Sequence, residues 1–247
     1  ITLTSAMSAS VDLPDYDYEM IELTGAWSRE RYVKNRKLEH GIQAVYSMRG
    51  ASSSNYNPFL ALKRPHTTEF DGEVYGFSFV YSGNFLAQAE VHTYGTTRVM
   101  MGLHPNRFNW VLSQGEEFQT PEVVMVYSEN GLNGMSQTYH ELYRTRLCRG
   151  YWRDRVRPIL VNNWEATYFK FTEEKLLEIG RKAKEIGLDL LVLDDGWFGK
   201  RNTDNCSLGD WYPNKEKLPD GLSGLADIRH RNRYMWQVLW RKPCSLA

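Results

Sequence analysis

Paired cysteines, net charge and long apolar runs are all missing from this sequence, and each absence removes a class of protein. Cys148, Cys206 and Cys244 are an odd set without paired spacing. Neither a disulfide framework nor a zinc site is therefore indicated, and free thiols in a reducing compartment are expected. His92, His104 and His140 are scattered, without the ligand spacing of a metal centre. Thirty Lys and Arg balance 30 Asp and Glu, which gives no reason to expect nucleic acid or a membrane surface as partner. No run of about 18 apolar residues offers a transmembrane helix. The opening ITLTSAMSAS has no initiator Met, basic segment or apolar signal core. The true N-terminus is read as missing, and a cytoplasmic location is the default expectation. Internal repeats and low-complexity segments are absent too.

Aromatic residues, in contrast, are abundant: 8 Trp, 15 Tyr and 10 Phe in 247 residues that are 42% hydrophobic. That is enough apolar material for one large domain or two smaller ones. From about residue 20 to 130 the apolar period is two. Ile42, Ala44, Tyr46 and Met48 alternate with Gln43, Ser47 and Arg49, and Tyr75, Phe77, Phe79 and Tyr81 line up on one face in the same way. Such alternation predicts half-buried strands with those residues on the inner face. Turn signals at Asp71-Gly72, Ser82-Gly83-Asn84, Gln114-Gly115 and Asn130-Gly131 separate them, as in an antiparallel sandwich.

Between residues 133 and 149 the period becomes helical, through Met135, Tyr139, Leu142, Tyr143 and Leu147. The basic stretch GYWRDRVRP then reads as a domain boundary. Beyond it, ILVNNW is a short aliphatic run ending in polar residues. Thr172 can cap a helix carrying Glu173 and Glu174 in its first turn and an apolar stripe of Leu176, Ile179, Ala183 and Ile186. Gly187 can end that helix. LDLLVLDD follows as an almost wholly apolar strand, and the three segments read as a βαβ unit with parallel strands.

Two adjacent aspartates are odd chemistry for the end of a buried strand. Parallel α/β architectures bind ligands at the carboxyl ends of their strands, and both strands here end in polar and aromatic groups. Asn162, Asn163 and Trp164 end the first; Asp194, Asp195 and Trp197 end the second. Carboxylates accept paired hydrogen bonds from hydroxyls, and an indole covers the C–H face of a sugar ring. The combination suits a polyol, with a hexose the first choice. The competing reading is that each Asp merely caps the turn at Gly196. A retaining glycosidase needs its two catalytic carboxyls about 5–5.5 Å apart across the bond being cut. Consecutive strand residues tend to face opposite ways, so this pair is better suited to gripping a substrate than to cleaving it.

Long ordered motifs now carry a resemblance. LTGAWSRERYVKNRKLEHGIQ, GASSSNYNPFLAL, YSGNFLAQAEV, PEVVMVYSENGLNGMSQTYHELYR, RPILVNNWEATYFKF, LDLLVLDDGWFGKR and SLGDWYPNKEKLPDGLSGLAD together resemble the α-galactosidases of glycoside hydrolase family 36, the melibiase/raffinase group. The resemblance implies an antiparallel β-supersandwich over residues 1–149, followed at 150–227 by the first βα units of an incomplete (β/α)₈ barrel. It also implies retaining hydrolysis of terminal α-linked galactose from melibiose- or raffinose-type oligosaccharides, with no metal or organic cofactor and a homo-oligomer for the full-length enzyme. The motif positions carry substrate binding over to Asp194, Asp195, Trp164 and Trp27. Without the family, Trp27 would read as a core aromatic.

The same resemblance marks what is missing. A (β/α)₈ barrel takes about 250 residues, and the family's nucleophile, in a Lys-x-Asp motif, and its acid/base lie on later strands. No catalytic residue is therefore assigned, and the chain reads as an inactive fragment. Residues 158–247 are expected to pack poorly alone, because an incomplete barrel exposes a sheet edge. Residues 228–247, after GLSGLAD, depart from the family text and hold five basic residues and no acidic one. A shifted reading frame and a genuine divergent tail are both open. Two other functions compete: a non-catalytic carbohydrate-binding β-sandwich, and a related activity on N-acetylgalactosamine or in galactosyl transfer.

Overall fold

The computed structural model describes residues 1–225 and the backbone of residues 235–238. The chain divides into two compact units, Ile1–Arg149 and Gly150–Ala247.

Period-two alternation builds the first unit. Its strands are β1 (Thr2–Leu3), β2 (Met7–Leu13), β3 (Glu19–Ala26), β4 (Arg29–Lys37), β5 (Gly41–Ser47), β6 (Tyr56–Lys63), β7 (Val74–Phe79), β8 (Phe85–Val91), β9 (Thr97–Leu103), β10 (Trp110–Val111) and β11 (Val123–Ser128). One antiparallel sheet has the order β11-β7-β6-β3-β4 and the other β2-β9-β8-β5, with β1 and β10 forming a short separate pair. Met20, Leu60, Leu62, Phe77 and Phe79 of the first sheet join Val45, Phe85, Ala87, Ala89, Val91, Val99 and Met101 of the second in one core. The expected face of Tyr75, Phe77 and Phe79 is thus the inner one, whereas Tyr81, past the end of β7, is exposed.

Helix α1 (Gly131–Leu142), prolonged by a π-helical turn at Tyr143–Leu147, covers the other face of the larger sheet. Met135 and Tyr139 pack there against Ile21, Ala61, Val74 and Val126. Gly76 permits the close approach, since a Cβ at that position would lie 2.6 Å from Met135 Sδ.

Strand β5 is a correction. Ile42 is 60% and Tyr46 45% exposed, and Met48 is exposed as well, so the expected inner face is the outer one. The cause is register: Gln43, Val45 and Ser47 oppose Ala89, Ala87 and Phe85 of β8, whose side chains lie in the core. Residues facing one another across a ladder share a face, and β5, at the sheet edge, follows β8.

The second unit holds β12 (Leu160–Asn162), a short helix α2 (Trp164–Thr167), α3 (Glu173–Glu185), β13 (Leu190–Leu193) and β14 (Met235–Val238). The three strands are parallel, in the order β12-β13-β14, and the sheet is open. Thr172 caps α3 by accepting the Lys175 backbone N–H at 3.4 Å. Gly187, at φ 88°, takes the left-handed conformation that stops the helix. Leu176 and Ala183 are buried as expected, but Ile186 is exposed because it already lies beyond the last helical turn.

Phe171, Leu176, Leu193, Trp197, Phe198, Leu218 and Leu225 form a core belonging to this unit. Leu160 on β12 and Ile159 just before it, by contrast, are exposed, and β12 pairs only with β13 among the described residues. Apart from the backbone of β14, the expectations for residues 228–247 lie outside the described residues. No described helix is long and apolar enough to cross a membrane. Cys148 and Cys206 are free thiols.

Candidate sugar-binding site

The parallel pairing of β12 with β13 sets Asn162 level with Val192, so the polar residues that follow each strand emerge side by side. Their side chains are knitted together. Asn162 donates from Nδ2 to Asp194 Oδ2 at 2.7 Å and accepts the Trp164 backbone N–H at 2.8 Å. Asn163 is fully buried. It accepts the Asp194 backbone N–H at 2.8 Å and donates to Thr167 Oγ1 at 2.9 Å. One asparagine thus fixes the carboxylate of Asp194, and the other fixes its backbone.

Each aspartate also caps the turn, so both sequence readings hold in part. Asp194 Oδ1 accepts the Asp195 N–H, and Asp195 Oδ1 accepts the Gly196 N–H, each at 2.7 Å. Beyond that the pair diverges. Arg201, only 5% exposed, donates from Nε to Asp195 Oδ1 at 2.8 Å and from Nη2 to Oδ2 at 2.8 Å. Lys217 donates from Nζ to the carbonyls of Gly196 and Arg201 at 2.8 and 3.1 Å.

Burial pushes the Asp195 carboxyl up, but hydrogen bonds from Arg201 and the Gly196 N–H, with the charges of Arg201 and Lys217, outweigh it and hold the group below its ordinary value. Burial lowers Lys217, although Asp195 opposes that shift. A folded-state value below the unfolded one of about 3.9 means that ionised Asp195 stabilises the unit above about pH 4. That contribution is lost as pH falls through the folded value. Urea midpoints are expected to fall more steeply below about pH 4 in the parent than in Asp195→Asn. Parallel pH profiles would remove this role.

Of the predicted residues, Trp164, Asp194 and Asp195 come together on the second unit. Trp164 is half-buried, with Tyr168 and Phe169 edge-on at 5.3 and 4.9 Å, which leaves a braced indole. Trp197, expected at the same rim, is 3% exposed and lies in the core with Phe171 and Leu193. Trp27 belongs to the first unit, in the turn between β3 and β4, and is 85% exposed. It is therefore not a core aromatic. Arg201 and Lys217 were missed; the signal for them is that two adjacent carboxylates in a partly buried turn need a cation nearby. Among the described residues no group of three or more His, Cys, Asp or Glu could hold a metal ion.

Comparison with known proteins decides the family. The melibiase family model matches residues 117–247, and the glycosyl hydrolase family 36 N-terminal domain matches residues 1–113. The chain belongs to glycosyl hydrolase family 36. Alpha-galactosidase AgaA of Geobacillus stearothermophilus is 64% identical over 92% of this chain and 31% of its own length. Alpha-galactosidase Mel36A of Lactobacillus acidophilus is 48% identical over 98% of this chain and 33% of its own. The chain thus spans about a third of the length of these family 36 relatives.

The crystal structure of AgaA superposes with a TM-score of 0.92 at 61% identity, covering 96% of this chain and 33% of AgaA. An α-galactosidase from Lactobacillus brevis gives 0.93 at 43% identity, covering 96% and 32%. The architecture is accordingly the family 36 β-sandwich followed by the start of the catalytic domain. Variants of AgaA have been crystallised with raffinose and with stachyose.

Proposed function

We propose that this chain is part of a retaining α-galactosidase acting on raffinose-type oligosaccharides, and that it supplies the rim that grips the terminal galactose. The observation that carries the reading is the half-buried carboxylate of Asp194, linked through Asn162 to the Trp164 backbone at the ends of two adjacent parallel strands. Asp194 receives one hydrogen bond on each oxygen. A carboxylate has about four acceptor positions, so about two remain for sugar hydroxyls. The braced face of Trp164 suits the apolar side of a pyranose ring. Family membership and the raffinose and stachyose complexes of AgaA support the substrate class. Trp27, exposed on the first unit, is the remaining substrate-binding residue of this reading.

In the whole enzyme one carboxylate attacks the anomeric carbon while a second protonates the departing oxygen, and water then releases the sugar. Neither role falls to Asp194 or Asp195, whose oxygens serve as turn caps and hydroxyl acceptors. The isolated chain is expected to bind methyl α-galactoside, seen as NMR shifts at Trp164 and Asp194, and to hydrolyse no aryl α-galactoside above background. Turnover would place the catalytic pair within these residues and overturn that division of labour. Absence of any galactoside-induced shift would remove the substrate assignment.

A further inference from the structure

The geometry points to Arg201 as a positioning residue that aims the Asp195 carboxylate at the sugar, a role that rests on the α-galactoside reading above. Arg201 engages both oxygens of that carboxylate with a two-pronged fork, Nε to Oδ1 and Nη2 to Oδ2, each at 2.8 Å. Such a fork fixes rotation about the Cβ–Cγ bond as well as position. The Nε–H also reaches Oδ2, at 3.1 Å, and the Gly196 N–H donates to Oδ1 at 2.7 Å, so three donors engage about four acceptor positions. Capacity for about one further hydrogen bond remains. Asp195 therefore offers a single acceptor in a fixed direction, whereas Asp194 offers two.

The guanidinium is itself held. Its Nη1 donates to the Cys206 carbonyl at 2.7 Å. The Lys217 ammonium ties the Arg201 carbonyl to that of Gly196, at 3.1 and 2.8 Å. The rings of Phe169 and Phe198 stand 5.7 and 5.9 Å from the guanidinium carbon. This surround limits competing water, so the fork has few alternatives to Asp195.

Lysine retains the charge but cannot make the fork, so Arg201→Lys separates the two roles. The folded variant is expected to bind methyl α-galactoside about tenfold more weakly, the worth of one charge-assisted hydrogen bond. The Asp195 midpoint, read from its ¹³Cγ resonance, is expected to rise. Lys217 also acts on that carboxyl, and Cys206 and Asp204 act on Arg201; the variant leaves all three in place. A folded Arg201→Lys chain that binds as tightly as the parent, with an unmoved midpoint, overturns the proposal.

If the variant does not fold, the unmodified chain supplies the test. Its Arg201 Nε–H resonance is expected to shift with the Asp195 carboxyl during titration and again on adding galactoside, and a resonance indifferent to both refutes the role. Absence of galactoside binding by the parent counts against the α-galactoside reading. The Asp195 midpoint in Arg201→Lys then decides the Arg201 role separately.

Discussion

Asp194→Ala is expected to abolish α-galactoside binding by this chain while leaving both units folded. The carboxylate keeps about two acceptor positions open after Asn162 and the Asp195 N–H are satisfied. A hydrogen bond to a charged group contributes about 1.5–3 kcal/mol, so losing two corresponds to about 10²–10⁴-fold in affinity. Asp194→Asn retains part of the acceptor capacity and should fall between parent and Ala. An NMR titration with methyl α-galactoside measures all three. This variant also separates the proposed function from its rival, a carbohydrate-binding sandwich without chemistry. The rival places the sugar on the first unit, so it survives if Asp194→Ala binds like the parent, and the rim assignment then falls.

Much of this site was legible because the cues are local. Thr172 with Glu173 and Glu174 announces the start of α3, and an aliphatic run ending in Asp-Asp announces a strand that stops at a polar rim. What the sequence hides is direction. Trp197 follows the aspartates by two or three residues, yet the turn at Gly196, with φ 91°, sends it into the core. Arg201 sits in a polar loop, where nothing in Lys200-Arg-Asn-Thr-Asp-Asn tells which residue returns to the carboxylates. The family resemblance implies a substrate-site role for Trp27, and its exposure rules out the core reading that its residue type invites.

The same limit applied to the sandwich. Strand β7 carries its large aromatics on one side, so its inner face could be read directly. Strand β5 has apolar residues on both sides, and its inner face depends on its partner, β8.

That partnership makes a sharp stability prediction. Phe85→Ala is expected to cost the first unit about 3–5 kcal/mol, through lost transfer energy and the cavity left behind. Phe85 is 0% exposed, opposes Ser47 on one side and Leu103 on the other, and lies in the core shared by the two sheets. Ile42→Ala and Tyr46→Ala, although both remove large apolar side chains, should each stay within about 0.5 kcal/mol of the parent, because those side chains face outward. Urea unfolding of the full chain, followed with probes reporting each unit separately, measures all three. The second unit should retain its own transition, since Phe171, Leu176 and Leu193 form a core that does not include Phe85. If Tyr46→Ala proves as costly as Phe85→Ala, strand β5 pairs one residue out of register, and the alternation read from the sequence was right about its face.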